Sequence, residues 1–104
     1  MAEKKHSQND FIVSTLTGSY DAYDPYTKIH KLAGFENGIM HGIYKEYYDE
    51  DKKQVKMEGH FESGMKQGVW SEFDKKGRIE AVKIWNKGEL LERTMYDDEE
   101  EKSS

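Results

Sequence analysis

The chain has 104 residues, a formal net charge of −5 and no cysteine, which limits it to one domain and excludes disulfides and thiolate zinc sites. Charged residues make up 36% and apolar residues 35%; thirteen aromatic rings, each able to bury roughly 150–250 Å², are what allow a thin core. No apolar run of roughly 18 residues is available to span a membrane as a helix, and MAEKKHSQND lacks the apolar stretch of a signal peptide, so a cytoplasmic protein is expected.

Residues 1–10 read as a flexible leader, and Phe11–Thr17 (FIVSTLT) as a β-rich cap on the first repeat unit. From Gly18 the chain repeats itself. GFENGIMHGIYKEYY begins at Gly34, and a closely similar phrase comes after it. Phe35, Gly38, Gly42, Tyr44, Glu46 and Tyr47 reappear as Phe61, Gly64, Gly68, Trp70, Glu72 and Phe73, each 26 positions later. Trp85-Asn-Lys-Gly88 repeats the aromatic-x-x-Gly element 24 residues after Phe61, and Gly18-Ser-Tyr20-Asp-Ala-Tyr23 precedes Gly42 by 24. A fixed period of this length marks a repeat array.

Each unit reads as a β-hairpin. In QVKMEGHFES, Val55, Met57, Gly59 and Phe61 alternate with Lys56, Glu58, His60 and Glu62, the period-two pattern of a strand with one dry face. RIEAVKIWN repeats it with Ile79, Ala81 and Trp85 in phase, and GIYKEYYD and GVWSEFD are short aromatic-rich strands. Asn37-Gly38, Ser63-Gly64, Lys76-Gly77 and Lys87-Gly88 are turn signals between them. Residues 89–96 fit a last strand better than a helix, because the preceding Asn-Lys-Gly continues the strand-turn rhythm. The expected fold is all-β: an antiparallel meander of stacked hairpins, about three units with caps, over 11–96. Asp97–Ser104 (DDEEEKSS) is a disordered acidic tail that carries −4 of the net charge.

The paired rings of Gly-x-aromatic-x-x-aromatic lie three residues apart, which in a regular strand sets them on opposite faces. Either a bulge re-aims one ring, or both faces of the sheet carry aromatics. The sequence leaves the two open.

Phe35-Glu-Asn-Gly38-Ile-Met-His41-Gly42-Ile-Tyr44-Lys-Glu-Tyr47 and Phe61-Glu-Ser-Gly64-Met-Lys-Gln-Gly68-Val-Trp70-Ser-Glu-Phe73 resemble the repeats of MORN proteins, and more closely the bacterial variant form of the YwqK-type antitoxin family. The resemblance covers about residues 18–96 and departs from the ordinary MORN repeat in unit length and in its sparser glycines. It implies stacked hairpins and a non-catalytic protein-binding module, in its sharper form an antitoxin or immunity protein that inhibits a cognate toxin. The alternative it implies is a scaffold or lipid-binding membrane-surface repeat. That reading needs basic clusters, whereas Lys52-Lys53 and Lys75-Lys76 are interleaved with Asp49, Glu50, Asp51 and Asp74.

No catalytic residue is expected: Glu46 and Glu72 recur as repeat positions and the serines have no nucleophile-elbow motif around them. No metal and no cofactor are expected either, since His6, His30, His41 and His60 have no ligand spacing and the glycines punctuate turns without cradling phosphate. Nucleic acid is not expected as a partner without a basic groove. The candidate partner-binding residues are Tyr20, Tyr23, Tyr44, Tyr47, Trp70 and Phe73, with core packing as the competing role. Gly38, Gly42, Gly64, Gly68 and Gly88 are the structural turn glycines. Another protein is the expected partner, or a second copy joined through exposed edges or a face.

Overall fold

The structure, a computed structural model, describes residues 16–96. The leader, most of the proposed cap and the acidic tail therefore lie outside the described residues. Seven strands, β1 (Gly18–Asp24), β2 (Ile29–Glu36), β3 (Ile39–Tyr47), β4 (Val55–Glu62), β5 (Met65–Phe73), β6 (Ile79–Asn86) and β7 (Glu89–Met95), form one antiparallel sheet in chain order. This is the expected meander, and residues 89–95 are strand.

The two ends of the sheet are built differently. At one end, Asn37-Gly38, Ser63-Gly64 and Lys87-Gly88 close β2–β3, β4–β5 and β6–β7 with two-residue loops in which both residues have positive φ. These are the primed turns whose twist matches that of the flanking strands. At the other end the loops are longer, and each begins with an aspartate that folds the chain back on itself. Asp24 Oδ1 accepts from the Tyr26 amide, Asp49 from the Lys53 and Gln54 amides, and Asp74 Oδ1 from the Lys76 and Arg78 amides. An aspartate that bonds to backbone ahead of it supplies the turn its own local scaffold.

Each primed turn is also bonded to the strand before its own hairpin. The amides of Gly38, Gly64 and Gly88 donate to the carbonyls of Leu16, Met40 and Lys66 at 2.9, 2.8 and 3.0 Å. One residue earlier, the amides of Asn37, Ser63 and Lys87 donate to the side chains of Thr17 (Oγ1), His41 (Nδ1) and Gln67 (Oε1). Thr17, His41 and Gln67 thus occupy one repeat position, and its requirement is an acceptor near the turn. The next such position is Leu91, which has no acceptor to offer, and β7 is the last strand of the sheet.

Opposed residues in a sheet share a face, so the registers define two surfaces. One unbroken row runs Ala22, Lys31, Glu46, Met57, Glu72, Ala81, Met95; beside it lie Tyr20, Ala33, Tyr44 and Gly59, continued by Trp70, Lys83 and Arg93. We call this the first face. The second carries the row Asp21, Leu32, Lys45, Glu58, Ser71, Val82, Thr94, flanked by Tyr23, His30 and Tyr47. Rings three apart are therefore split between faces: Tyr20, Tyr44 and Trp70 on the first, Tyr23, Tyr47 and Phe73 on the second.

Bulges are present as well, and they correct two details of the alternation. An extra residue in β4 (Lys56) and one in β6 (Glu80) turn Val55 and Ile79 to the second face, opposite Tyr47 and Phe73, out of phase with Met57 and Ala81. Larger irregularities fall where Gly42 and Gly68 take φ of 96° and 78° inside β3 and β5.

With no second layer among the described residues, their core is small: Tyr47 (8% exposed), Trp70 (2%) and Ala81 (0%) are its buried hydrophobic residues. Trp70 achieves this by lying flat on the backbone of β4, where a Cβ at Gly59 would overlap its ring. Its indole N–H donates to the His60 carbonyl at 3.1 Å.

Gly59→Ala evicts the Trp70 ring and Gly68→Ala forces a side chain into positive φ; each is expected to cost about 1–3 kcal/mol. That lowers the Tm by several degrees in a thermal melt followed by circular dichroism, and an unchanged Tm in either variant would contradict the packing described. The Asp74 carboxyl is held below its usual value, chiefly by the Arg78 amide, opposed by burial, and further by the Lys76 amide and the Arg78 side chain. A depressed folded-state pKa gives stability that is complete above the ordinary aspartate value of about 3.9 and is lost as the pH falls through the lower one. Asp74→Asn should therefore be less stable than the parent at neutral pH, with the difference shrinking in urea titrations as the pH is taken below the ordinary aspartate range.

Candidate functional site

The first face carries the larger concavity. Its floor is the cross-strand ring cluster Tyr44, Phe61 and Trp70, with centroids 5.1–5.6 Å apart, Phe61 standing edge-on to both of the others. Such edge-to-face contacts place the positive rim of one ring on the negative face of the next. Met40 and Met57 flank the cluster, and Lys31, Glu46 and Lys66 complete the lining of a groove of about 450 Å³. A second hollow of about 360 Å³, reaching from Ala22 and Ile29 to Lys56, shares Lys31 and Glu46 with the first, so the two form one trough across β1–β5.

Its polar groups have defined partners. The Tyr44 hydroxyl donates to Glu46 Oε2 at 2.6 Å, while Lys56 Nζ lies 3.9 Å from Glu46 Oε1. Burial, and then the hydrogen bond to Glu46 and its charge, push the Tyr44 phenol far above its ordinary pKa. It remains a neutral donor at any physiological pH and is not a candidate proton acceptor. Lys83 Nζ pairs with Glu72 Oε2 at 2.9 Å. Lys66 Nζ sits over two indoles, 5.0 Å from the Trp70 centroid and 4.6 Å from that of Trp85, so that ring faces stabilise its charge. Among the described residues, Lys31, Lys66 and Arg93 have no carboxylate partner.

Three of the six residues singled out from the sequence lie on this face. Tyr44 lines the groove and Trp70 is its buried floor. Tyr20 is 43% exposed, stands edge-on to Phe35 at 6.1 Å, and donates its hydroxyl to the Thr17 carbonyl. Tyr47 and Phe73 are not brought to the groove, while Tyr23 borders the second hollow although its ring packs against His30. Tyr23 and Tyr47 enclose His30 on the second face, and the Phe73 carbonyl accepts a 2.7 Å hydrogen bond from the Tyr48 hydroxyl. Lys31, Lys66, Met40 and Met57 were not singled out from the sequence. Strand parity alone places Met57 with Phe61, but Lys66 reaches this face only through the pairing of β4 with β5.

His30 and His41 serve structure, and His6 lies outside the described residues. His30, 8% exposed, bonds through Nδ1 to the Glu50 carbonyl at 2.8 Å and presents Nε2 to Asp21 at 3.5 Å, closing the β3–β4 loop over Tyr23 and Tyr47. Asp21 also meets Lys52 Nζ at 3.3 Å, and Lys52 and His30 together hold its carboxyl below the usual range. Among the described residues no cluster of three or more His, Cys, Asp or Glu side chains is placed to hold a metal.

The groove floor and its rim should separate on substitution. Trp70→Ala removes the one large buried indole and is expected to cost about 3–5 kcal/mol, enough to populate the unfolded state in a fold this thin. Lys31→Ala, exposed and unpaired, should stay within about 0.5 kcal/mol of the parent. Equilibrium denaturation checks both, and equal effects would mean that the groove floor is not the structural centre.

No family model matches the chain, and neither a curated protein nor a solved structure proves similar to it.

Proposed function

We propose that the chain is a non-catalytic protein-binding repeat module. The observation that carries this reading is a seven-stranded sheet with no second layer among the described residues, one face of which holds a preformed aromatic and methionine-lined trough. An apolar concavity with a few convergent polar groups is the usual form of a recognition site, and aromatic residues are the usual anchors of protein interfaces. Among the described residues the outer edges of β1 and β7 offer backbone groups with no strand partner, a second means of capture by strand addition. The motif resemblance supports a sharper form, in which the bound protein is a toxin whose activity the module blocks.

A tagged full-length chain used as bait in lysate of its source cells, with the stoichiometry of retained proteins read by mass spectrometry, tests the reading. One stoichiometric partner is the expected outcome. A blank result with bait that is folded and monodisperse contradicts it. An unchanged partner activity under a saturating excess of the chain removes the inhibitor form.

A further inference from the structure

The sheet sorts charge as well as rings. On the first face the paired rows and the trough bring together Lys31, Lys56, Lys66, Lys83 and Arg93 against Asp24, Glu46 and Glu72. On the second, Asp21, Glu36, Glu58, Glu62 and Glu92 stand against Lys45 and Lys52. A chain close to neutral outside its tail is therefore cationic on the aromatic side and anionic on the other. Lys56 and Lys83 are matched by Glu46 and Glu72; Lys31, Lys66 and Arg93 have no such match among the described residues.

We propose that the first face docks an extended acidic segment of a partner protein, its carboxylates meeting Lys31, Lys66 and Arg93 and an apolar side chain entering between Met40, Met57 and Phe61. This rests on the protein-binding reading above and names the chemistry of the partner. Geometry sets the length. Lys31 on β2 and Arg93 on β7 lie five strand spacings apart, about 24 Å at about 4.8 Å per strand, with Lys66 on β5 to one side of that line beside Phe61. A peptide extended across the strands at about 3.3 Å per residue covers that distance with seven or eight residues. Charge complementarity of this kind steers encounter and fixes register, while the buried apolar contact supplies affinity.

A single-stranded nucleic acid would also be drawn to lysines beside aromatics, but the floor disfavours it. Trp70 is 2% exposed, so the largest ring of the floor offers no free face for a base to stack on. Glu46 and Glu72 are central in the same rows and would oppose phosphates.

The test uses the full-length chain and a fluorescein-labelled twelve-residue Gly/Ser peptide bearing three glutamates and one central leucine, followed by anisotropy at physiological salt. Lys31→Glu with Arg93→Glu changes two exposed residues outside the packed floor, and a melting curve confirms that this double variant folds. The expected result is saturable binding of the acidic peptide, weakened about tenfold or more by the double variant, with no binding of a control peptide whose glutamates are lysines. Equal affinity for the double variant overturns the proposal, as does tighter binding of a twelve-nucleotide oligothymidylate. A further full-length variant neutralises the tail (Asp97→Asn, Asp98→Asn, Glu99→Gln, Glu100→Gln, Glu101→Gln). Peptide binding to that variant alone would assign the groove to the chain's own tail and overturn a docking site for a partner. Binding that appears only with self-association in sedimentation would assign the face to a second copy. A stoichiometric cellular partner retained equally by parent and double variant would leave the protein-binding reading standing and remove this one.

Discussion

Everything in this molecule depends on the pair of hydrogen bonds that ties each primed turn to the strand before its hairpin. A single sheet has no opposing layer to fix the position of its strands, and an isolated two-stranded hairpin is marginal at best in water. The Gly64 amide on the Met40 carbonyl and the Ser63 amide on His41 Nδ1 join one hairpin to the one before it, and Gly88 and Lys87 repeat the arrangement on Lys66 and Gln67. Leu16 and Thr17 provide the same two acceptors for the first hairpin, so the chain ahead of β1 behaves at this point as the end of another unit. Repeat proteins gain stability from such nearest-neighbour contacts, one unit on the next.

The aromatic packing depends on that alignment. Once β4 and β5 are held in register, a glycine at position 59 opens a space one ring wide, and Trp70 fills it. Tyr44 and Phe61 then close around the indole from the neighbouring strands. Lys66 completes the arrangement from above, its aliphatic stem covering apolar surface while its ammonium rests between two indoles. Structure and recognition are joined here, because the rings that stabilise the sheet are also the floor of its groove. Under the proposed binding role, a floor already packed this way would limit the entropy lost on binding.

Much of the fold was legible in the chain. The 26-residue offset from Phe35 to Phe61, the paired turn residues Asn37-Gly38 and Ser63-Gly64, and the alternation through Met57, Gly59 and Phe61 each specify hairpins by local chemistry. Less of the candidate site was legible. The rings of Gly-x-aromatic-x-x-aromatic look equivalent in sequence, yet Tyr44 lines the groove while Tyr47 is buried beside His30 on the opposite side. Lys31, Lys66 and Arg93 lie far apart along a chain whose charges alternate in sign, so no local window shows them as a set. The bulges at Lys56 and Glu80 were hidden as well, since an extra residue in one strand is defined only against its partner.

What the sequence by itself determined is therefore the unit: a hairpin with a glycine-bearing primed turn at one end, an aspartate-initiated loop at the other, and aromatic strands between. Those features arise from interactions within a few residues, where the identity of each side chain is sufficient. The tertiary structure decided how the units face one another. It determined which rings became floor and which were enclosed, where unmatched cations collected, and that one side became basic and the other acidic. Those outcomes depend on cross-strand register, and register is a relation between strands that no single strand contains.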